Sequence, residues 1–545
     1  MSAADGWTRR AALGGGAALL LTGAAAPSGG VVRCAAGDFI GTREGGLRVF
    51  RGIRYGRAER FRAPVAVATP GKRVAADAFG PVCPQAGPYG PQDEDCLFLN
   101  IWTAEADARA ARPVMLYIHG GAYSNGSVTD PLNDGRHIAG RGDAVVVTVN
   151  HRLNAFGYAY LARLDPRFPD SGNAGQLDLI LALRWVRANI AAFGGDPAQV
   201  MVFGQSGGGA KIATLMGMEA AHGLFHRAAT MSGQQVTASG PMNATARARA
   251  LLARLGISER DLGPLLAMPA ARIVEGLAAT DPVLGGGVYM GPVLDMRWLT
   301  RHPFWPDANP LGAHVPMMLG NTHDETRAFI GPDSPKVQGL DWTNLAERMA
   351  PELKVDILPE WVVAQFRERY PDHSPLDIFY AATTAGRSWR GQVEEAEARA
   401  RAGVPGWVYQ VDFASRTDPA RGAFHTMDIP LVFGTLDAPG SQTGTGADAR
   451  AASKAMQDAF CRFAASGEAA WPRELPPSEW SIDYESLDQG RDDACLQRST
   501  SPRRSSASCV RWRSCWAKAA RPPKHAGGSR SASRPTTVGA RNMVA

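Results

Sequence analysis

The sequence predicts an α/β fold in which a mostly parallel central sheet is covered by helices on both faces. Three observations carry that prediction. The apolar runs Val114-Met115-Leu116-Tyr117-Ile118, Ala144-Val145-Val146-Val147-Thr148-Val149 and Val200-Met201-Val202-Phe203 are nearly continuous rather than alternating, as expected of strands buried on both faces. Between them lie longer stretches of helical character, such as residues 177–189 and 210–218, which is the pattern of strand-helix-strand units. Two of the strands also run into glycine-rich turns that carry reactive side chains. With 45 % hydrophobic residues in 545 positions, the chain has ample material for one large core. It shows no internal repeat.

The chain begins with an export pattern. Thr8-Arg9-Arg10 precedes a run of small and apolar residues, 11–26, too short to cross a bilayer, which is followed by Pro27-Ser28-Gly29-Gly30. Residues 1–30 therefore read as a signal of the twin-arginine type, cleaved between Gly23 and Gly30, and the mature protein as exported, periplasmic or secreted, without stable membrane insertion.

The next informative element is the strand 114–118, which leads into His119-Gly120-Gly121-Ala122. A glycine-rich loop of this kind supplies backbone N–H groups to an oxyanion hole in esterases and lipases. The strand 200–203 leads into Gly204-Gln205-Ser206-Gly207-Gly208 and then a helix, the strand-turn-helix context of a nucleophile elbow. Such a turn forces the serine into a strained backbone conformation, and only residues lacking a Cβ fit where strand and helix pass beside it. Ser206 is the candidate nucleophile of an α/β-hydrolase fold.

Further motifs occur in order: Phe50-Arg51-Gly52-Ile53-Arg54-Tyr55-Gly56, Glu94-Asp95-Cys96-Leu97-Phe98-Leu99-Asn100-Ile101, and Asn189-Ile190-Ala191-Ala192-Phe193-Gly194-Gly195-Asp196-Pro197. Together with the elbow they make residues 49–472 resemble the type-B carboxylesterases, the family of para-nitrobenzyl esterases, liver carboxylesterases and cholinesterases. The resemblance implies one hydrolase domain, residues 31–475, with helical excursions around an active-site gorge. It implies hydrolysis of a small-molecule carboxylic ester with no cofactor, no metal and no nucleic-acid partner. It assigns the acid to Glu325, in Gly320-Asn321-Thr322-His323-Asp324-Glu325, with the adjacent Asp324 as competitor. It assigns the base to His425, in His425-Thr426-Met427-Asp428, over His119, His151 and His323. The chain order Ser206, Glu325, His425 is that of an α/β-hydrolase.

The same resemblance gives the oxyanion donors as the N–H groups of Gly121, Ala122 and Gly207, and places Ser232 behind the site. Gln205 departs from it, because most members carry Glu beside the nucleophile, and this argues against a cationic, choline-like substrate. Ion pairs Arg60–Glu94 and Arg152–Asp178 and a disulfide between Cys83 and Cys96 are implied as scaffold, while Cys461, in the helix-like run 451–465, reads as a buried thiol. Tyr123, Phe156, Tyr289, Trp389 and Phe424 are candidate gorge aromatics. An amide or carbamate hydrolase using the same three residues, or a non-catalytic binding protein on the same fold, stands as the alternative function.

The end of the chain breaks the pattern. Eleven of the 58 basic residues, and none of the 52 acidic ones, lie beyond Asp493, so the preceding residues are net acidic and the formal charge of +6 belongs to the tail. Residues 476–545 read as an atypical, basic, disordered segment, of the kind that translation in a shifted frame produces.

Overall fold

The computed structural model describes residues 30–404, 406–469 and 510–515. The export signal, and the tail apart from those last six residues, lie outside them.

Successive residues of the central strands feed two different cores, which is why these runs are apolar at almost every position. Val114, Leu116 and Ile118 join one buried cluster, and Met115 and Tyr117 the other; Val145, Val147 and Val149 divide from Val146, and Val200 and Val202 from Met201 and Phe203, in the same way. The first cluster is closed by helix Ala174–Asn189 through Leu183 and Trp185, the second by helix Ala447–Ser466 through Met456, Phe460 and Phe463. Each such side chain contributes about 1.5–3 kcal/mol on burial.

The sheet has ten strands among the described residues, in the spatial order Val510–Cys515, Gly406–Val411, Met317–Thr322, Arg227–Met231, Gly195–Gln205, Arg112–Ile118, Val145–Val149, Phe98–Thr103, Leu47–Arg54 and Thr42–Glu44. Strands 406–411 through 145–149 pair in parallel, and antiparallel pairings flank them on both sides. The chain doubles back at Arg112–Ile118, whose neighbours are the two strands that follow it in sequence. In an open α/β sheet such a switch point opens a crevice at the carboxyl ends of the strands. The register pairs Gly204 with Ile118, Gln205 with Met231 and Met231 with Gly320, so the turns that follow these strands emerge at one level.

Helices inserted after the parallel strands form the excursions. Those of residues 345–384 close their own small core around Ile330, Leu345, Met349, Val362, Phe379 and Tyr380. No helix among the described residues is long and apolar enough to cross a membrane.

Val510–Cys515, within the segment whose charge suggests disorder, pairs antiparallel with Gly406–Val411 as an edge strand. Val510-Arg511-Trp512-Arg513 alternates apolar and polar residues before Ser514-Cys515 breaks the period, a short strand signal that a reading based on charge passes over. Cys83 and Cys96 are buried and in contact, and both thiols are free in this structure. The Cys83 thiol accepts the N–H of Leu153 at 3.2 Å, and its hydrogen bond to Cys96, together with burial, raises the Cys96 pKa well above its ordinary value. Cys461 is a free, half-buried thiol that burial pushes up to about 12.

The buried charges are mostly paired. Arg152 donates to both oxygens of Asp178, Nε at 2.9 Å and Nη2 at 2.7 Å, with both side chains nearly sealed from solvent. Arg60 binds Glu94 in the same two-pronged way. Glu395, on helix Arg390–Arg401, is different: its carboxyl accepts the N–H of Gln235 at 2.6 Å, yet burial outweighs that bond and the charge of Arg399 and pushes it up to about 8. A carboxyl whose pKa is raised by folding stabilises the protein below its unfolded value, and that stability is lost as pH rises toward the folded one. Urea denaturation should therefore show stability declining between about pH 5 and pH 8, by up to about 1.4 kcal/mol per pH unit for this one proton, and Glu395→Gln should flatten that decline. An unchanged slope in Glu395→Gln would mean that other groups produce it.

Candidate active site

Ser206 stands where strand Gly195–Gln205 gives way to helix Gly207–Leu215, at φ 55° and ψ −123°. A non-glycine residue pays about 1–3 kcal/mol for such a conformation, and its surroundings impose it. The Ser206 N–H donates to the Met231 carbonyl at 2.7 Å, fixing the turn to the next strand. A Cβ at Gly207 would collide with the Ala122 carbonyl, and one at Gly208 with the Ile118 carbonyl. The glycines thus bring the elbow and the loop after strand Arg112–Ile118 into backbone contact.

That loop turns through two successive left-handed residues, Gly121 at φ 84° and Ala122 at φ 53°. The Gly121 carbonyl accepts the N–H groups of Ser124 and Asn125 at 3.1 and 3.0 Å, which points the peptide away from the elbow side. Consecutive N–H groups in such a turn form an anion-binding concavity, and Gly207 adds the unpaired N–H of a helix start. Beneath the loop lies Lys211, fully buried on the elbow helix. Its Nζ donates to the carbonyls of Ala122 at 2.7 Å and His119 at 3.3 Å, and sits 5.3 Å from the centroid of the Tyr123 ring. Burial pulls this ammonium down to about 7.

The acid and base loops follow strands Met317–Thr322 and Gly406–Val411, which pair in parallel. Glu325 is fully buried; one carboxylate oxygen accepts the Thr322 N–H at 2.8 Å and the other is hydrogen-bonded to His425 Nδ1. With Nδ1 carrying the proton toward Glu325, Nε2 is left with its lone pair. The Gln205 side-chain amide lies 3.3 Å from that Nε2 and donates to it in this tautomer. Phe329 stacks on the imidazole, with centroids 5.0 Å apart.

The competitors fall into other roles. Asp324 accepts the Ala423 N–H at 2.9 Å and pairs with His323 and Arg327. Burial acts to raise its pKa, but these partners hold the carboxyl below the usual range. It braces the segment that carries His425 rather than touching the imidazole. His119 and His151 stack on each other, 4.7 Å apart, and burial, reinforced by the charge of Lys211, pulls His119 down to about 3 and holds His151 well below the usual imidazole range. Ser232 is buried at φ 52°, with its N–H donating to the Gly320 carbonyl at 2.7 Å, and the next residue, Gly233, packs against the Ser206 carbonyl. Of the candidate aromatics, Tyr123 and Phe156 belong to the core, Tyr289 packs edge-on against Tyr123, Trp389 donates to the Thr322 carbonyl, and Phe424 belongs to the second core cluster.

A family model described as "Carboxylesterase family" matches residues 28–504. The chain belongs to that family. The matched span runs past the point near residue 472 where the resemblance by eye lapses, and reaches almost to the edge strand. Among its relatives, the para-nitrobenzyl esterase of Bacillus subtilis strain 168 is 33 % identical over 75 % of this chain and 83 % of its own length. A probable N-octanoylanthranilate hydrolase of Rhodococcus erythropolis is 30 % identical over 74 % of this chain and 85 % of its own. The crystal structure of a Geobacillus stearothermophilus carboxylesterase superposes with a TM-score of 0.72 at 34 % identity, covering 82 % of this chain and 93 % of that one. With the carboxylesterase family comes its activity, hydrolysis of carboxylic esters by a serine hydrolase.

Three carboxylesterase residues at or behind the site escaped the sequence reading, Lys211, Phe329 and Arg387, whereas Asp428, present there only as part of the His425 motif, is fully buried three residues after His425 and pushed up to about 7 by burial, with the charge of Glu325 adding to the effect. Only Lys211 had a signal that could have exposed it, a lone charge in an otherwise apolar helix. Replacing it with methionine keeps the length and removes the ammonium that ties down the Ala122 peptide. Because a lost oxyanion donor costs ~3 kcal/mol and a misplaced one less, Lys211→Met should lower kcat on an aryl ester by about ten- to a hundredfold with KM little changed. Equal loss through KM alone would assign Lys211 to substrate binding.

Proposed function

We propose that this carboxylesterase works through an acyl-enzyme on Ser206, with His425 as general base and then acid, Glu325 as the orienting carboxylate, and the N–H groups of Gly121, Ala122 and Gly207 as oxyanion donors. The observation that carries the reading is the hydrogen bond between buried Glu325 and His425 Nδ1, which turns the Nε2 lone pair toward the residue beside Ser206. A serine hydroxyl is a weak nucleophile at neutral pH, so Nε2 gives up its long contact with the Gln205 amide to take the serine proton as Oγ attacks the ester carbonyl. Glu325 stabilises the imidazolium that forms. The carbonyl oxygen, now an alkoxide, faces the concavity of the 121–122 turn and the helix start. Nε2–H protonates the departing alkoxide, and water then releases the acid by the same steps in reverse.

A second reading, hydrolysis of an amide by the same groups, is favoured by the relative named for an N-acyl substrate. Pocket shape and proton delivery to the leaving group separate the two, and rates on matched aryl esters and anilides measure them. Export by the twin-arginine route is supported by Arg9-Arg10 and the run that follows, and the contact of Cys83 with Cys96 suits a pair that closes in an oxidising compartment.

Ser206→Ala should lower kcat on a short aryl ester by about four to six orders of magnitude, and His425→Ala nearly as much, because the three groups act as a unit. Glu325→Gln should cost about a hundredfold to ten-thousandfold. Wild-type turnover by a folded Ser206→Ala enzyme would sink the assignment.

A further inference from the structure

The rim of the site carries a cation that the hydrolytic steps do not use. Helix Pro375–Thr384 passes into helix Arg390–Arg401 through a five-residue π-helical turn, Ala385–Trp389. Such a turn accommodates one extra residue at a cost in regular hydrogen bonding, and it is found most often at functional sites. Here it is pinned on both sides: a Cβ at Gly386 would collide with the Leu353 carbonyl, and the Trp389 indole N–H donates to the carbonyl of Thr322, on the strand that leads to Glu325. The exposed residue the turn presents is Arg387. Its guanidinium carbon lies 3.7 Å from the centroid of the Phe329 ring, and that ring stacks on His425. One aromatic ring therefore separates a guanidinium from the imidazole of the site.

Among the described residues Arg387 has no carboxylate at ion-pairing distance. Partial desolvation lowers its pKa, opposed by the fields of Glu352 and Glu325, and both of those carboxylates are engaged elsewhere, Glu352 by Lys336 and Lys354 and Glu325 by His425. Asp324 is likewise taken by His323 and Arg327. On the other side of the imidazole, residue 205 is a neutral glutamine, so no carboxylate beside the nucleophile opposes an incoming anion. Phe329, 48 % exposed, supplies an apolar wall against which the guanidinium rests.

We infer that Arg387 reads a carboxylate on the substrate, so that the ester this enzyme takes carries a second, ionised carboxyl group beyond the bond that is cleaved. The inference rests on the ester-hydrolase reading and names its substrate class. A guanidinium matches a carboxylate with two parallel hydrogen bonds, and on a half-exposed rim this yields selectivity that salt weakens.

The test compares monomethyl adipate, an anion at neutral pH, with dimethyl adipate, its neutral counterpart, by methanol release from the full chain. Arg387→Gln should lower kcat/KM for the monoester by about tenfold and leave the diester within about twofold, and Arg387→Glu should lower the monoester further. The preference for the monoester should also shrink at high salt in the wild type. Unchanged selectivity in both variants, or cleavage of the diester alone by the wild type, overturns the anion site and leaves the hydrolase intact. Hydrolysis of neither adipate by a wild type that cleaves a short aryl ester overturns the anion site alone, and absence of turnover on the aryl ester as well overturns the ester reading with it.

Discussion

The site depends on one close approach, that of the elbow at residues 204–208 to the loop at 118–122. Ser206 holds a left-handed backbone because its N–H is spent on the Met231 carbonyl and its neighbours have no side chains to push the loop away. Strand register sets the level at which the two turns meet, and the two cores on either face of the sheet hold that register. Strain in the turn is thus sustained by packing far larger in sum than the few kcal/mol it stores. From this contact follows the backbone approach of the elbow at Ser206 to the 121–122 turn.

Electrostatics around the contact follow a consistent rule. Charges meant to stay fixed are paired with good geometry, as in Arg152–Asp178, or silenced by burial, as in His119 and His151. Lys211 is the exception, an ammonium sealed behind the loop with carbonyl oxygens as partners instead of a carboxylate. It ties down the Ala122 peptide and sets a positive field behind the loop proposed to supply the oxyanion donors. Arg387 plays the corresponding part at the rim, where solvent weakens its field but leaves it open to a ligand.

Much of this was legible in the sequence because the elbow and the loop need particular residue types at fixed spacing. Glycine at 207 and 208, and a serine after a continuous apolar strand, can be read without coordinates. Glu325 and His425 came only through resemblance, since nothing in a linear pattern says which of eleven histidines folds against which carboxylate. Asp324 shows the limit well: it adjoins Glu325, has the same charge, and bonds the backbone two residues before His425. Arg387 was invisible because its position depends on a π-helical turn that no sequence period announces. The edge strand 510–515 was overlooked because four alternating residues sit inside seventy whose charge suggests disorder, and because Gly406–Val411 offers an unpaired edge only once the sheet exists.

The central claim, that the strained Ser206 is the atom that attacks, is tested most directly by locating the covalent bond. Wild-type protein treated with a diethyl phosphoryl reagent, digested and mapped by mass spectrometry should carry one phosphoryl group, on the peptide containing Ser206, with ester hydrolysis lost in proportion to labelling. A label on another residue, or full labelling of Ser206 with hydrolysis unimpaired, would contradict the account.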